Sequence, residues 1–281
     1  MIENLDAAVF QLQWPLPLII ISIAMLLVAG IAYAARSLTA AGAAEAFFMG
    51  NIILWSMRFS GFFLFFLFFI SCTIVGKISK SIRSSSSGRE VAEKKGHRRD
   101  FMQVLANGLM ATVAAMLWSV SPETKALVMF GAVIAEATSD TFAGEIGRLS
   151  RKKPISILNF RPVPVGLSGG VTVLGLVAAL ISSAAIAFFW YRWFDMVTIP
   201  GAVLVGTIGF AGCILDSVLG AGVQGIYYDP ELRQFSEDKE KDGRQLELSR
   251  GLSWVDNDIV NLISNVFAGV FALGMSALII K

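Results

Sequence analysis

Hydrophobic positions run along this chain in eight blocks, each close to or above the roughly 20 residues an α-helix needs to cross a hydrocarbon core about 30 Å thick. They cover about residues 16–35, 38–57, 59–78, 103–120, 124–147, 168–190, 198–220 and 257–280. The second is the weakest, because Glu45 and several small residues also suit a re-entrant segment. Only Arg58 separates it from the third, which opens with Phe59 and Ser60. The expected fold is all-α: a polytopic transmembrane helical bundle of about seven or eight spans, with residues 1–281 forming a single integral membrane domain.

Composition agrees, with 55% hydrophobic and 16% charged residues. The net charge of +2 says little, but its distribution orients the chain. Segments 76–102, 148–167 and 220–255 hold eight, five and five Lys or Arg, and Arg36 follows the first span, giving nineteen of the twenty-three. Arg58, Lys125, Arg192 and Lys281 fall singly on the other side. The bias of Lys and Arg toward cytoplasmic loops makes the three long segments cytosolic and both termini external. The N-terminus has no basic n-region, and Glu3 and Asp6 precede Pro15, so a cleaved signal peptide is not expected. Cys72 and Cys213 lie in spans and read as small buried apolar residues. His97, in a basic loop, suits solvent or a phosphate better than a metal.

The connecting segments have characters of their own. Ser84-Ser85-Ser86-Ser87-Gly88 reads as a flexible break. Glu231 to Glu247 alternates in sign and reads as a solvated helical excursion or mobile flap, with a plain linker as the alternative. Pro154, Pro162 and Pro164 keep the 148–167 loop extended. No internal repeat is apparent, which weighs against transporter folds built from repeats.

Three carboxylates, Asp140, Glu145 and Asp216, lie inside apolar spans, where an ionised group costs several kcal/mol unless compensated. With the orientation above, spans five and seven run inward and bring all three near the cytosolic face. Spans four, six and eight start at that face with Asn107, then Ser168-Gly169-Gly170, then Asp256, Asn257 and Asn261. Glu45 is a further candidate for this layer. Asn257, Asn261 and Asn265 repeat every four residues and form one helix stripe. Interhelical hydrogen bonding accounts well for Asn265, but less well for the two beside Asp256. Gly209, Gly212 and Gly220 accompany Asp216, and close helix packing explains them as readily as a site does.

Gly166-Leu167-Ser168-Gly169-Gly170, read as the opening of span six, offers backbone N–H groups to an anion. Lys152, Lys153 and Arg161 precede it. Carboxylates facing cations and an anion nest suit phosphoryl transfer, in which oxygen ligands hold Mg²⁺ and cations offset phosphate charge. Glu136, one turn from Asp140, reads as structural rather than ligating. Walker A and kinase H-R-D sequences are absent, which excludes a soluble-kinase mechanism.

The stretch Ala137-Thr138-Ser139-Asp140-Thr141-Phe142-Ala143-Gly144-Glu145-Ile146-Gly147 resembles the signature of a multispanning membrane family. That family includes the plant and cyanobacterial phytyl-phosphate kinase of tocopherol synthesis. The resemblance continues through Gln103-Val104-Leu105-Ala106-Asn107-Gly108, Gly169-Gly170-Val171, Leu215-Asp216-Ser217-Val218-Leu219-Gly220, Asp256-Asn257 and Val260-Asn261. It covers about residues 95–275 in order and departs at Leu167-Ser168, where Thr-Asn is frequent. The family looks related to phytol and dolichol kinases and to lipid cytidylyltransferases that use CTP.

The resemblance implies a CTP-dependent kinase that converts an isoprenyl monophosphate, such as phytyl phosphate, to the diphosphate. Asp140, Asp216 and Asp256 are the expected Mg²⁺ ligands, with Glu145 close behind. Asn107, Asn257 and Asn261 are expected to orient phosphates or metal-bound water. Ser168, Gly169, Gly170, Lys152, Lys153 and Arg161 are expected to hold nucleotide phosphates. Expected partners are the prenyl phosphate lipid, the nucleotide and the membrane, with no nucleic acid; a homo-oligomer is compatible with the sequence. The expected location is a prokaryotic cell membrane, or the thylakoid membrane in a cyanobacterium, with the site on the cytosolic face. Two alternatives stay open: a CTP-dependent lipid cytidylyltransferase and a transporter of cations or organic phosphates. The buried acids cluster at one face rather than at the midplane, which disfavours the transporter.

Overall fold

Why the second and third apolar blocks form two separate helical arms is settled at one residue. A computed structural model describes residues 2–87, 98–241 and 243–279; His97 and Lys281 lie outside them, as do residues 88–97 of the first long loop. After a short helix α1 (Ile2–Phe10) and α2 (Leu16–Ala34), helix α3 covers Ala40–Ser87 but is interrupted at Arg58 (φ 59°, ψ −164°). The chain folds back there. Met49 and Phe65 both meet Gly108, and Leu54 packs with Phe62, so the two arms of α3 lie antiparallel as a helical hairpin. Asp6 of α1 accepts the Phe59 N–H at 3.1 Å and so satisfies a free donor at the start of the second arm. That arm runs past the predicted end at 78. Its serine run is helical rather than a break, with the Ser84 and Ser85 hydroxyls donating to the Ser81 carbonyl.

The remaining spans are α4 (Phe101–Val120), α5 (Thr124–Gly147), α6 (Val173–Trp193), α7 (Ile199–Gly222) and α8 (Asn257–Ile279). Among the described residues, seven helices are long and apolar enough to cross a membrane, with the α3 hairpin counted once. Polar residues set the helix starts. Asp100, Thr172 and Thr198 each accept an N–H from three residues on, at 3.0, 3.0 and 3.2 Å.

Helix α5 is the axis of the bundle. Its residues 126–139 are buried without a break, as expected of a helix apolar on every side. Helices α3, α4, α6, α7 and α8 all pack against it. Phe130 and Trp190 lie at the centre, and the Trp190 indole N–H donates to the Leu127 carbonyl at 2.8 Å.

Two further expectations change. Span six does not open at 168. Gly166 and Gly169 adopt φ +87° and +78°, in the left-handed region that glycine enters freely, so residues 166–169 turn instead of starting a helix. Gly170–Val171 (β2) then pairs with Ile155–Ser156 (β1) before Thr172 caps α6. The segment after α7 is also not helical. Ile226–Asp229 (β3) pairs with Gln234–Ser236 (β4) and with Glu247–Arg250 (β7), and Glu240–Lys241 (β5) pairs with Arg244–Gln245 (β6). The aromatic and β-branched run Ile226-Tyr227-Tyr228 favours strand over helix. This flap caps the end of the bundle where the candidate site lies.

Candidate functional site

Helices α5, α7 and α8 bring their polar groups to one layer. Glu136 and Asp140 are one turn apart on α5, on the side that meets α7. Gly212 lets α7 close on α5, since a Cβ there would lie 2.4 Å from the Glu136 Cγ. One turn later, Asp216 comes within hydrogen-bonding reach of Asp140. From α8, the Ser264 hydroxyl lies 2.9 Å from Glu136 Oε1 and 3.2 Å from Asp216 Oδ2. The Asn265 amide donates to Glu136 Oε2 at 2.6 Å and to the Val133 carbonyl at 2.9 Å. The Asn261 amide donates to Asp216 Oδ2 at 2.9 Å.

Donors are scarce here. The Ser264 hydroxyl has one proton and three acceptors, because the Asn261 carbonyl is also 3.0 Å away. Two facing carboxyls at membrane depth need a proton or a cation between them. Glu136, fully engaged by Ser264 and Asn265, is part of the scaffold. Among the described residues no three His, Cys, Asp or Glu side chains converge to hold a metal. Mg²⁺ often takes only one or two carboxylates, with substrate phosphates and water completing its shell, and Asp140 with Asp216 fits that half-site.

The α5 stripe continues toward the flap as Asp140, Gly144 and Arg148, spaced i, i+4, i+8. Nothing lies within 4 Å of a Cβ built on Gly144, so there is open space between the carboxyl pair and the arginine. Arg148 is electrostatically close to Asp140 and to Glu237. Its Nη1 is 4.0 Å from Glu145 Oε1. Glu145 also meets Arg83 of α3 at 3.8 Å, and Ser79 donates to the Glu145 carbonyl at 2.8 Å. Glu145 is thus held between Arg83 and Arg148, apart from the Asp140–Asp216 pair.

The glycine turn lies across the end of α7. A Cβ on Gly169 would fall 2.4 Å from the Ala221 nitrogen, so only glycine fits. Arg250 of β7 ties the two together, donating to the Ala221 carbonyl at 2.8 Å and the Ser168 carbonyl at 3.4 Å. The Ser168 N–H, expected to meet a phosphate, donates at 2.7 Å to Glu237 Oε1 from the flap. Burial pushes the half-buried Glu237 carboxyl up, against the lowering influence of the Ser168 N–H and Arg148. A carboxylate of the protein itself therefore sits where an anion was expected.

Other expected residues stand apart. Asp256 is exposed and caps α8 through the Ile259 N–H at 3.1 Å, so the expected metal set loses its third member to a helix terminus. Asn257 is exposed and offers only its carbonyl to Asn261, at 3.2 Å. Lys152, Lys153 and Arg161 are exposed on the loop around β1. Asn107 lies on α4, its amide donating to the Gln103 carbonyl at 2.9 Å. Glu45 belongs to the first arm of α3, and its buried Oε2 has no hydrogen-bond partner among the described residues.

The family described as "Integral membrane protein DUF92" matches residues 23–269, which include Glu136, Asp140, Asp216, Asn261, Ser264 and Asn265 of this layer. The chain belongs to the DUF92 family. An uncharacterized membrane protein of Methanocaldococcus jannaschii is 34% identical over 174 residues, covering 62% of this chain and 69% of its own. An uncharacterized membrane protein of Synechocystis is 25% identical over 245 residues, covering 86% and 84%. Protein VTE6, chloroplastic, of Arabidopsis thaliana is 27% identical over 249 residues, covering 87% of this chain and 67% of its own. No solved structure matches.

In this DUF92 protein, Arg148, Ser264, Glu237 and Arg250 complete the site without having been singled out by sequence. Arg148 carried a readable signal, because it continues the Asp140–Gly144 stripe at the same spacing. Glu237 and Arg250 carried none, since their positions depend on the pairing of the flap strands.

Proposed function

We propose that this DUF92 protein is a membrane phosphotransferase that moves the terminal phosphoryl group of CTP onto an isoprenyl monophosphate such as phytyl phosphate. The observation that carries the reading is the open space over Gly144, flanked by the Asp140–Asp216 pair on one side and Arg148 on the other. The resemblance to the phytyl-phosphate kinase family supplies the substrates.

In the reaction, an oxygen of the acceptor phosphate forms a bond to the terminal phosphorus of CTP. The bond from that phosphorus to the β-phosphate bridging oxygen breaks, and CDP leaves with the electron pair. The acceptor is already an anion, so no strong base is needed and positioning dominates. Asp140 and Asp216 would hold Mg²⁺, which would supply positive charge to offset that of the nucleotide phosphates. Arg148 neutralises charge on the transferred group from the opposite end of the stripe. Asn261 and Ser264 hold Asp216 in place, and the end of the bundle nearest the flap is the cytosolic face.

Purified protein given CTP, Mg²⁺ and phytyl phosphate should release CDP and phytyl diphosphate. Asp140→Asn and Asp216→Asn should each lower turnover by about 10²-fold or more with folding intact. Release of pyrophosphate instead of CDP would make the protein a cytidylyltransferase. Lipid-independent behaviour with no CTP consumed would end the enzymatic reading.

A further inference from the structure

A second feature lies across the bundle from the carboxyl pair. Helix α2, both arms of α3 and the start of α4 line a partly open cleft. Its deep walls are apolar: Met25 and Ala29 of α2, Gly50 of the first α3 arm, and Phe62, Phe65 and Phe66 of the second. From Ala40, at the start of the first arm, to Gly50 is ten residues, or about 15 Å of helix. The cleft thus reaches from one face of the protein to a depth near the middle of a hydrocarbon core.

One end is polar. Arg99, Gln103 and Asn107 line the cleft where α4 begins. The Arg99 main chain is fixed, its N–H donating to the Ser37 carbonyl at 2.9 Å and its carbonyl accepting from Thr39 at 3.0 Å. Its guanidinium lies 5.9 and 5.8 Å from the centres of the Phe68 and Phe69 rings. Among the described residues no carboxylate forms an ion pair with Arg99. Arg99 and Thr141 both come within hydrogen-bonding reach of the Cys72 thiol, and Thr141 adjoins Asp140 in the chain. The cationic end of the cleft therefore lies toward the catalytic layer.

An apolar cleft of this depth with a fixed arginine at its mouth matches one ligand shape: a long apolar chain ending in a phosphate. We propose that the α2–α3–α4 cleft is the acceptor chamber, holding the chain of a single-tailed lipid phosphate while Arg99, Gln103 and Asn107 bind its headgroup. The inference rests on the phosphotransferase reading for its lipid class, and it relocates the acceptor. Arg99 anchors the lipid phosphate, leaving the Gly144–Arg148 space to the nucleotide.

The test is direct binding without nucleotide, using the full chain in nanodiscs and geranylgeranyl phosphate as probe. Arg99→Gln, at the mouth, and Ala46→Trp, which fills the wall, should each weaken binding at least about tenfold, and Arg99→Lys should restore part of the loss. Geranylgeraniol, which lacks the phosphate, should bind at least about tenfold more weakly than the probe. CTP affinity should not move in any variant. A diazirine-bearing prenyl phosphate on unmodified protein should crosslink to the Phe62–Phe66 wall, a readout independent of how the variants fold. Crosslinks confined to outward faces, equal binding of phosphatidic acid, or loss of binding on Lys152→Ala/Lys153→Ala but not on Arg99→Gln would each overturn the chamber. If CTP turnover proceeds and Asp140→Asn abolishes it while Arg99→Gln and Ala46→Trp turn over normally, the chamber falls and the kinase reading stands. Arg99-dependent binding with no CTP consumed would sink the kinase reading alone.

Discussion

Gly144 offers the sharpest separation between folding and catalysis. Glycine inside a helix costs about 0.5–1 kcal/mol relative to alanine through backbone entropy. No neighbour at Gly144 requires the missing side chain, because a Cβ there has nothing within 4 Å. Gly144→Ala should therefore raise stability by about 0.5–1 kcal/mol. Gly212 is the contrasting case in the same layer. A Cβ there would meet the Glu136 Cγ at 2.4 Å, and overpacking of this kind costs about 1–3 kcal/mol, so Gly212→Ala should lower stability. If the space over Gly144 holds the transferred phosphoryl group, filling it should slow the reaction although the fold gains. Moving a reacting group by about 1 Å can cost 10²-fold, so Gly144→Leu should lower kcat/KM for CTP by about that factor, with Gly144→Ala in between. Thermal unfolding followed by tryptophan fluorescence, beside a CTP-consumption assay, measures both quantities on one preparation. Full turnover in Gly144→Leu would refute the placement of the phosphates, and a lower melting temperature in Gly144→Ala would refute the open space itself.

Three further outcomes follow from the geometry. Glu136→Gln puts an amide against the Asn265 and Ser264 donors, so it should destabilise by about 1–3 kcal/mol while lowering turnover far less than Asp140→Asn, as unfolding and activity assays would show. Glu237→Gln should lower the apparent KM for CTP several-fold, because it removes the carboxylate that occupies the Ser168 N–H; an unchanged KM would place the nucleotide elsewhere. Partial burial raises the Glu237 carboxyl above its ordinary 4.5, so the docked flap holds its proton more tightly than a released one. Docking should therefore be strongest below that value and weaken as pH rises through the raised one. Hydrogen exchange at Ser168, corrected for intrinsic rate, should speed up over that window and lose the effect in Glu237→Gln. Gly243→Cys should label from the cytosolic side and Lys125→Cys from the other; labelling of both from one side would undo the orientation.

Sequence carried the membrane-spanning architecture well, because length and unbroken apolarity are one-dimensional properties. The encounter of Asp140 with Asp216 was also readable, since acids at matched depth in spans of known direction must lie in one layer. The start of α6 was not: the apolar block from 168 made Gly169-Gly170 a helix entry, whereas positive φ at Gly166 and Gly169 made it a turn against Ala221. Of the readings open for 231–247, the flap holds and the helix does not: alternating charges suit either, while Tyr227 and Tyr228 commit the chain to strand pairing. Arg99 was counted only as a loop cation, because its relation to the Phe62–Phe69 wall depends on the α3 arms folding back at Arg58.

The double grip of Arg250 on the Ala221 and Ser168 carbonyls has a consequence for anyone recombining this scaffold. The aqueous flap and the last turn of α7 share a joint with no slack, and Asp216 lies only five residues from Ala221. Exchanging residues 226–250 between relatives would strip those two carbonyls of their donor unless the incoming segment carries an arginine at the same register. Chimeras should accordingly cut inside α7 before Asp216 or after β7, where the soluble and membrane parts travel together as one inherited unit.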